Sequence, residues 1–315
     1  MSSQGVTLER NPRFRVWSND AQPDGFADRI VWKRADDPAA DVRMDPTREE
    51  LARLAVEAPI RVRKHPISYL VHAWLNTTVA PFDRPDARRA VAAAVDRSEF
   101  LASGSGALAN RVTCQLLSPG FPGHHPSCMT VAPDLDRARR LVKRSGTAGM
   151  RVRFWVVRDD DFWGDFGRRF VRTLRRIGYD ATLAARLDPR RYVDFTLDAG
   201  SRAQAGANAW FGDKPSASNV IKPLLGCPRG NSVTFNQSHF CDPGLDASMQ
   251  RAHRLEAAEP AAANAIWAGL DRELVRRAPI VPVLSGETVQ VTSERLGNYQ
   301  YHLRYGPLVA QAWVE

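Results

Sequence analysis

"LNTTVAPFDRPDARRAVAAAVDRSEFL" (residues 75–101) joins the end of one apolar segment to a second apolar segment with a different periodicity. The first segment, "ISYLVHAWLNTT" at 67–78, is apolar and aromatic and contains neither Pro nor Gly, which predicts a buried strand. After Pro81, four small apolar residues fall on one face of a helix: Ala90, Val91, Ala94 and Val95. The stretch therefore predicts a buried strand that leads into a well-packed helix.

Strand and helix patterns alternate along the rest of the chain. The predicted elements are a capping-box helix at 47–58, a helix at 134–146, a strand at 150–157, a helix within 166–180 that ends at Gly178, a strand at 181–187, two helices at 246–279 and strands within 280–294. A strand, a helix and a strand in succession form a βαβ unit, so the class is α/β with some parallel pairing. We interpret "DDDF" at 159–162 as a solvated turn and not as a cation site.

Length and composition indicate a globular protein with more than one structural unit. A chain of 315 residues exceeds the usual size of one core, and its 43% hydrophobic and 25% charged residues are ordinary for soluble proteins. No apolar run approaches the roughly 20 residues of a membrane helix, so no membrane span is predicted. The first residues, "MSSQGVTLERNPRF", lack the pattern of an export signal.

The positive charge does not by itself indicate nucleic acid. The net charge is +9, but the basic residues occur at helical spacing beside apolar positions, as in "RRLVKR" and "FGRRFVRTLRR". This spacing favours solvated helix faces over a phosphate-binding stripe. We therefore predict no nucleic-acid partner.

The four cysteines allow three interpretations. Cys114 and Cys128, like Cys227 and Cys241, lie 14 positions apart in segments rich in turn residues. Bonds within each pair would close two loops, but four cysteines allow three connectivities. A zinc site would use His124 and His125 with the first pair, although Cys114 lacks a near partner; buried free thiols are the third possibility.

Known catalytic motifs are absent. The sequence contains no G-x-S-x-G elbow, H-E-x-x-H helix or G-x-x-x-x-G-K-[ST] loop. We therefore predict no catalytic residues, no metal and no cofactor, and a protein that is not an enzyme.

The 75–101 stretch resembles the segment in which solute-binding proteins of the oligopeptide, dipeptide and nickel class, bacterial family 5, cross between lobes. The matching residues are Asn76, Pro81, Phe82, Asp83, Arg88, Ala90, Asp96 and Arg97. "TCQLLSPGFPGHHPSC" (113–128), with the helix that follows it, resembles the actinobacterial branch, in which cysteines flank this loop. This likeness favours disulfides over the other two interpretations. "NQSHFCDPGLDASMQRA" and "LVRRAPIVPVL" resemble the later helix and the return strand of the family.

The resemblance implies an α/β fold of the type II periplasmic-binding-protein kind, mostly lobe II with an incomplete lobe I. It assigns residues 1–75 to the remnant of lobe I and the hinge approach, 76–279 to lobe II and 280–315 to the return segment. The likeness covers nearly the whole chain but only the later part of a family member. We therefore expect a chain that lacks the signal peptide, the lipid-attachment cysteine and most of the first lobe.

"AWFGDKPSASNVI" (209–221) resembles the family segment W-x-x-D-Y-x-D-P-S-N-F, which lines the ligand cleft. This implies ligand binding by Trp210, Phe211 and Asp213, the carboxylate taking the ammonium group of a peptide through a charge-assisted contact. Lys214 stands where the family has Tyr, and could neutralise Asp213. The alternative is that Trp210 is a core aromatic residue and Asp213 a turn residue.

The implied function is the solute-binding component of an ABC transporter. The partners would be a peptide or similar small solute and an ABC-type membrane permease, and the location would be extracytoplasmic. With lobe I incomplete, binding by this chain alone would be weak. The alternative is a sensor or interaction module derived from a solute-binding protein, the C-terminal part of a larger regulatory protein.

Overall fold

The computed structural model describes residues 5–13, 27–33, 37–44, 46–103, 108–126, 132–158, 161–184, 186–229 and 234–315. The chain divides into two compact units. The first unit comprises Met1–Ile67, Gly106–Ala109 and Glu287–Glu315. The second unit comprises Ser68–Ser105 and Asn110–Gly286.

Strands and helices alternate along the described residues. The strands are β1 (Val6–Glu9), β2 (Arg29–Trp32), β3 (Val42–Arg43), β4 (Val62–Leu75), β5 (Leu108–Val112), β6 (Arg151–Trp155), β7 (Asp180–Leu183), β8 (Ala205–Phe211), β9 (Ile280–Thr292), β10 (Leu296–Gly297), β11 (Tyr301–His302), β12 (Gly306–Pro307) and β13 (Trp313–Val314). The α-helices are α1 (Arg48–Glu57), α2 (Pro85–Ala94), α3 (Leu135–Arg144), α4 (Asp161–Arg176), α5 (Pro189–Leu197), α6 (Ser218–Leu225), α7 (Pro243–Leu255) and α8 (Pro260–Arg277). Short 3-10 helices cover Pro59–Arg61, Arg97–Ser103, Ala199–Ser201 and Val309–Gln311. Among these helices, none combines the length and the apolar character needed to cross a membrane.

In its described residues, the first unit is built from short antiparallel pairs of strands, helix α1 and two short 3-10 helices. β1 pairs with β2, β10 with β13 and β11 with β12, while β3 pairs with the end of β9. The helix predicted at 47–58 is confirmed as α1, and the Thr47 hydroxyl accepts the N–H of Glu50 at 3.2 Å. The capping pattern in the sequence therefore marks the start of this helix correctly.

A sheet forms the centre of the second unit, in the strand order β9-β4-β8-β6-β7. β8 runs antiparallel to β4, and β6 runs parallel to both β7 and β8. The predicted βαβ unit is confirmed as β6, α4 and β7. Alternate residues of β4, namely Val71, Ala73 and Leu75, belong to the main hydrophobic cluster, together with Ala205 and Ala207 of β8.

Helix α2 packs against this cluster as its sequence predicts. The four small apolar residues on its predicted face are all buried: Ala90, Val91, Ala94 and Val95. Arg88, on the same helix, donates to the carbonyls of Phe82 at 2.8 Å and Arg277 at 3.1 Å, and Arg97 donates to that of Pro282 at 2.9 Å. Burial lowers the pKa of both arginines to about 10. These two arginines therefore link α2 and the segment after it to the end of α8 and to β9.

Two predicted boundaries differ from the structure. The strand predicted at 67–78 begins earlier, at Val62, and ends at Leu75, because Asn76 turns the chain. The Asn76 side chain accepts the N–H of Thr78 at 3.0 Å and donates to the carbonyl of Ala203 at 2.8 Å. The strands predicted within 280–294 form one continuous strand, β9.

The prediction of a solvated turn at 159–162 is wrong for its last two residues. Asp161 and Phe162 belong to α4, while 159 and 160 lie outside the described residues. Phe162 is buried, and its ring lies 6.1 Å from that of Phe166, which in turn lies 5.9 Å from that of Phe170. The four-residue spacing of these rings extends the helix toward its N-terminus, because each ring packs against the next turn.

Candidate functional site

The three residues predicted to bind ligand lie at and just beyond the end of β8. The strand becomes steadily more exposed toward this end, and Phe211 is 56% exposed. Trp210 is half-buried, and its indole N–H donates to the carbonyl of Asn219 at 2.9 Å. Asp213 is exposed in the loop that follows.

Trp210 and Phe211 lie on opposite faces of the sheet, because successive strand residues alternate. Trp210 is in register with Leu70, and its ring centroid lies 5.1 Å from that of Phe235. Phe211 is in register with Tyr69, and these two ring centroids lie 4.3 Å apart. The two predicted aromatic contacts therefore do not form one continuous wall.

The loop at 212–217 is fixed close to β4. The Gly212 N–H donates to the carbonyl of Ser68 at 3.1 Å, and a Cβ at Gly212 would lie 2.1 Å from the Ser68 hydroxyl oxygen. The N–H of Lys214 donates to the side-chain oxygen of Asn219 at 3.1 Å. Asp213 and Lys214 are both exposed. The backbone of the loop is thus held in place while its charged side chains face solvent.

A small depression lies beside Trp210 in the second unit. It is lined by Ser68, Tyr69, Leu70, Leu116, Ser118, Phe121, Trp210 and Val220. The depression has no room for a ligand in this conformation. Its lining places Trp210 beside the buried residues Leu70, Leu116 and Phe121.

Behind β8 lies a buried chain of polar side chains that was not predicted from the sequence. Asn208 donates to Gln237 at 2.9 Å, and Gln237 donates to the Thr196 hydroxyl at 2.6 Å. His72 is in register with Asn208 across the strand pair, and its Nδ1 has no hydrogen-bond partner among the residues that the structure describes. Burial lowers the pKa of His72 to about 4, so the imidazole is neutral at pH 7. Successive residues of a strand lie on opposite faces of the sheet. Because Val71 of β4 is on the face with the main hydrophobic cluster, His72 lies on the other face, with Asn208.

The prediction of disulfides is confirmed for Cys227 and Cys241, which are bonded to each other with their Cα atoms 4.7 Å apart, so the structure selects among the connectivities that the sequence leaves open. Cys114 is also disulfide-bonded, and Cys128, the fourth cysteine, lies outside the described residues. A sulfur atom in a disulfide cannot serve as a zinc thiolate, so the zinc interpretation of Cys114 is wrong. Within the described ranges, no three His, Cys, Asp or Glu side chains are grouped to hold a metal ion.

The loop that follows Cys114 is anchored by Asp271 of α8. The buried carboxylate accepts the backbone N–H of Leu116 at 2.9 Å and of Leu117 at 3.3 Å. His124 Nδ1 lies 2.9 Å from the Leu117 carbonyl oxygen. Burial raises the pKa of Asp271 to about 6, and the two backbone hydrogen bonds oppose that rise. This loop supplies Leu116, Ser118 and Phe121 to the depression beside Trp210.

The chain is similar to peptide-binding proteins. It is 25% identical to Di/tripeptide-binding protein 2 of Pseudomonas aeruginosa (strain UCBPP-PA14) over 218 residues, which cover 67% of this chain and 40% of that protein. The chain thus spans less than half the length of this relative.

Solved structures share the fold. HbpA2 from Haemophilus parasuis gives a TM-score of 0.79 at 15% identity, covering 92% of this chain and 59% of that one. The dipeptide-binding protein from Pseudoalteromonas sp. SM9913, in complex with Met-Leu, gives a TM-score of 0.63 at 17% identity. The match covers 99% of this chain and 62% of that chain. The predicted α/β fold of the type II periplasmic-binding-protein kind is confirmed.

The match to a family model covers most of the chain. The model is described as "Bacterial extracellular solute-binding proteins, family 5 Middle", and it matches residues 2–232. The matched range includes the 75–101 stretch, α2 and the end of β8, so the resemblance inferred from the sequence is confirmed. The chain belongs to the bacterial extracellular solute-binding proteins of family 5.

Proposed function

We propose that this chain binds short peptides as the solute-binding component of an ABC transporter. Family membership and the similarity to a di/tripeptide-binding protein support this proposal. The observation that carries it is that two exposed side chains, Phe211 and Asp213, lie two positions apart at the end of β8. An apolar surface beside a carboxylate suits the N-terminal residue of a peptide, which has a side chain and an ammonium group.

Each of the three residues has a distinct role in this proposal. The Asp213 carboxylate accepts hydrogen bonds from the peptide ammonium group, a charge-assisted contact. Phe211, backed by Tyr69, offers the aromatic surface for the first side chain of the peptide. Trp210 lies on the other face of the sheet, where its indole N–H donates to the Asn219 carbonyl, so in this proposal it supports the loop that contains Asp213 and does not contact the first side chain of the peptide.

The same family membership supports a location and a transport partner for this chain. We propose that the chain works outside the cytosol and delivers its peptide to an ABC-type permease. The Cys227–Cys241 disulfide supports an oxidising compartment, because cytosolic thiols are kept reduced. The second unit would correspond to lobe II, for which the sequence predicts residues 76–279.

Calorimetric titration with Met-Leu and N-acetyl-Met-Leu tests the role of Asp213. Acetylation removes the ammonium group, so the wild-type protein should bind the acetylated dipeptide more weakly, by about 10-fold to 100-fold for a lost charged hydrogen bond. Asp213→Asn should bind Met-Leu more weakly by a similar factor and should discriminate little between the two dipeptides.

Asp136→Asn is the matched control, because Asp136 is an 81% exposed acid on α3 of the same unit. This variant should discriminate between the two dipeptides as the wild type does. Equal affinities of the wild-type protein for the free and the acetylated dipeptide would contradict the role of Asp213. Absence of Met-Leu binding by the wild-type protein would count against peptide binding by this chain.

A further inference from the structure

Glu256 accepts hydrogen bonds from four side chains at the C-terminal end of α7. Its Oε1 lies 3.0 Å from the Ser216 hydroxyl and 3.0 Å from the indole nitrogen of Trp267. Its Oε2 lies 3.1 Å from the Ser218 hydroxyl and 3.1 Å from Nδ1 of His253. One carboxylate therefore joins the end of α7, the middle of α8 and the loop that contains Asp213.

The two serines belong to the loop and to the helix that follows it. The Ser216 and Ser218 hydroxyl oxygens lie 2.6 Å apart, and the Ser218 N–H donates to the Ser216 hydroxyl at 3.2 Å. The N–H of Asn219 donates to the Ser216 carbonyl at 3.0 Å. Glu256 also lies at the N-terminal end of α6, where a negative charge is favourable.

The far side of this cluster is buried. Trp267 of α8 is fully buried, so the hydrogen bond from its indole N–H fixes the orientation of the Glu256 carboxylate. The side chain of Glu256 is 26% exposed, which leaves it partly shielded from water. A charged acceptor in such a place forms stronger hydrogen bonds than one in full solvent. The loop is thereby tied to the helical layer at Ser216, only three positions after Asp213.

We infer that Glu256 is a positioning residue for peptide binding: through Ser216 and Ser218 it holds the 212–217 loop, and with it Asp213, at the end of β8. This inference rests on the proposed function for its effect on affinity. The effect on the loop itself can be measured without any ligand. Sequence similarity to the cleft segment points to Asp213 but not to Glu256, which lies 40 positions after Ser216.

Amide hydrogen exchange by NMR, together with Met-Leu titration, tests the inference in two glutamate variants. Glu256→Ala removes all four contacts, so exchange at 214 and 219 should become about tenfold faster and the Met-Leu affinity about tenfold lower, as expected for a lost charged hydrogen bond. Glu256→Gln should lie between Glu256→Ala and the wild type, because the amide oxygen can accept from Ser216 and Trp267 but has no negative charge to strengthen these bonds. Its NH₂ group can donate to Ser218 and His253.

Glu259→Ala is the matched control, since Glu259 is an exposed glutamate whose side chain makes no cap hydrogen bond in α8. A double variant, Ser216→Ala with Ser218→Ala, leaves the bond between Glu256 and Trp267 intact. It should accelerate the same amides, and it provides the test if Glu256→Ala does not fold.

The inference is overturned if loop exchange in Glu256→Ala and in the serine double variant equals that in Glu259→Ala. It is also overturned if exchange accelerates while the Met-Leu affinity stays at the wild-type value. Failure of the wild-type protein to bind Met-Leu rejects the proposed function instead, and exchange then tests the loop contact by itself.

Discussion

The indole N–H of Trp74 donates to the hydroxyl of Tyr192 at 3.0 Å, and both side chains are buried. The same hydroxyl donates to the carbonyl of Ala207 at 2.5 Å. One phenol thus links β4, β8 and α5 on the face of the sheet behind the candidate site. Burial raises the pKa of Tyr192 above its ordinary value, so the phenol remains a neutral donor.

Replacing Tyr192 with Phe should lower the free energy of unfolding. The Trp74 N–H and the Ala207 carbonyl would lose their shared partner inside the core, which costs about 1–3 kcal/mol. Urea denaturation measures this difference. Tyr305→Phe is the control, because Tyr305 is 77% exposed and its loss should change stability by less than about 0.5 kcal/mol. Equal stability of the two variants would contradict the role of the Tyr192 hydroxyl.

Asp271 should make the stability of the protein depend on pH. Burial raises the pKa of Asp271 from 3.8 to about 6, so the folded protein binds more protons than the unfolded chain between these values. The free energy of unfolding should therefore fall as the pH rises from about 4 to about 6. A shift of about two pKa units corresponds to about 3 kcal/mol.

The comparison between wild type and Asp271→Asn isolates this contribution. Acidic groups with a lowered pKa have the opposite effect on the pH dependence of stability. Glu273 is one of them, because hydrogen bonds from Arg276 and Arg277 lower its pKa to about 2. Both proteins contain Glu273, so its effect cancels in the difference between their unfolding free energies. Chemical denaturation at several pH values from 4 to 7 gives that difference. A difference that does not change over this range would contradict the raised pKa of Asp271.

The sequence predicted those elements that are specified by local pattern. The small apolar residues of α2 and the alternation in β6 are sufficient signals, and both elements form as expected. The elements predicted from the sequence do not include α6, because Ser218, Asn219 and Pro223 are poor helix formers. Packing of Ile221 and Leu225 against the core outweighs that weak propensity.

The candidate site was predictable only in part. Family resemblance located Asp213, and strand alternation would have separated Trp210 from Phe211 had β8 been identified. The polar chain behind β8 connects residues that are distant in sequence, such as Asn208 with Gln237, 29 positions apart. Contacts of this kind depend on the tertiary fold, so no local pattern specifies them.

Loss of the Cys227–Cys241 disulfide should destabilise the second unit. The bond closes a loop of about 15 residues, which stabilises a fold by about 3 kcal/mol in the chain-entropy model. The double variant Cys227→Ala with Cys241→Ala should therefore have a lower melting temperature, measured by circular dichroism. Intact mass after alkylation of the unfolded wild-type protein verifies that the bond is present. A melting temperature equal to that of the wild type would contradict the prediction.

Gly212 should be required because of its close approach to Ser68. A Cβ at this position would lie 2.1 Å from the Ser68 hydroxyl oxygen but 3.4 Å from its Cβ. Gly212→Ala should therefore move either the hydroxyl or the end of β8, at a cost of about 1–3 kcal/mol for overpacking. Movement of the strand end would also displace Asp213, so the affinity for Met-Leu should fall with the stability.

Ser68→Ala should relieve this clash, because it removes the hydroxyl and leaves an ordinary contact between two Cβ atoms. In a double-mutant cycle, the Gly212→Ala, Ser68→Ala double variant should regain stability to within about 0.5 kcal/mol of Ser68→Ala alone. Urea denaturation of the four proteins gives the coupling free energy. Additive effects of the two substitutions would show that the cost at Gly212 arises from some contact other than Ser68, and the close packing of the 212–217 loop against β4 would then lack support.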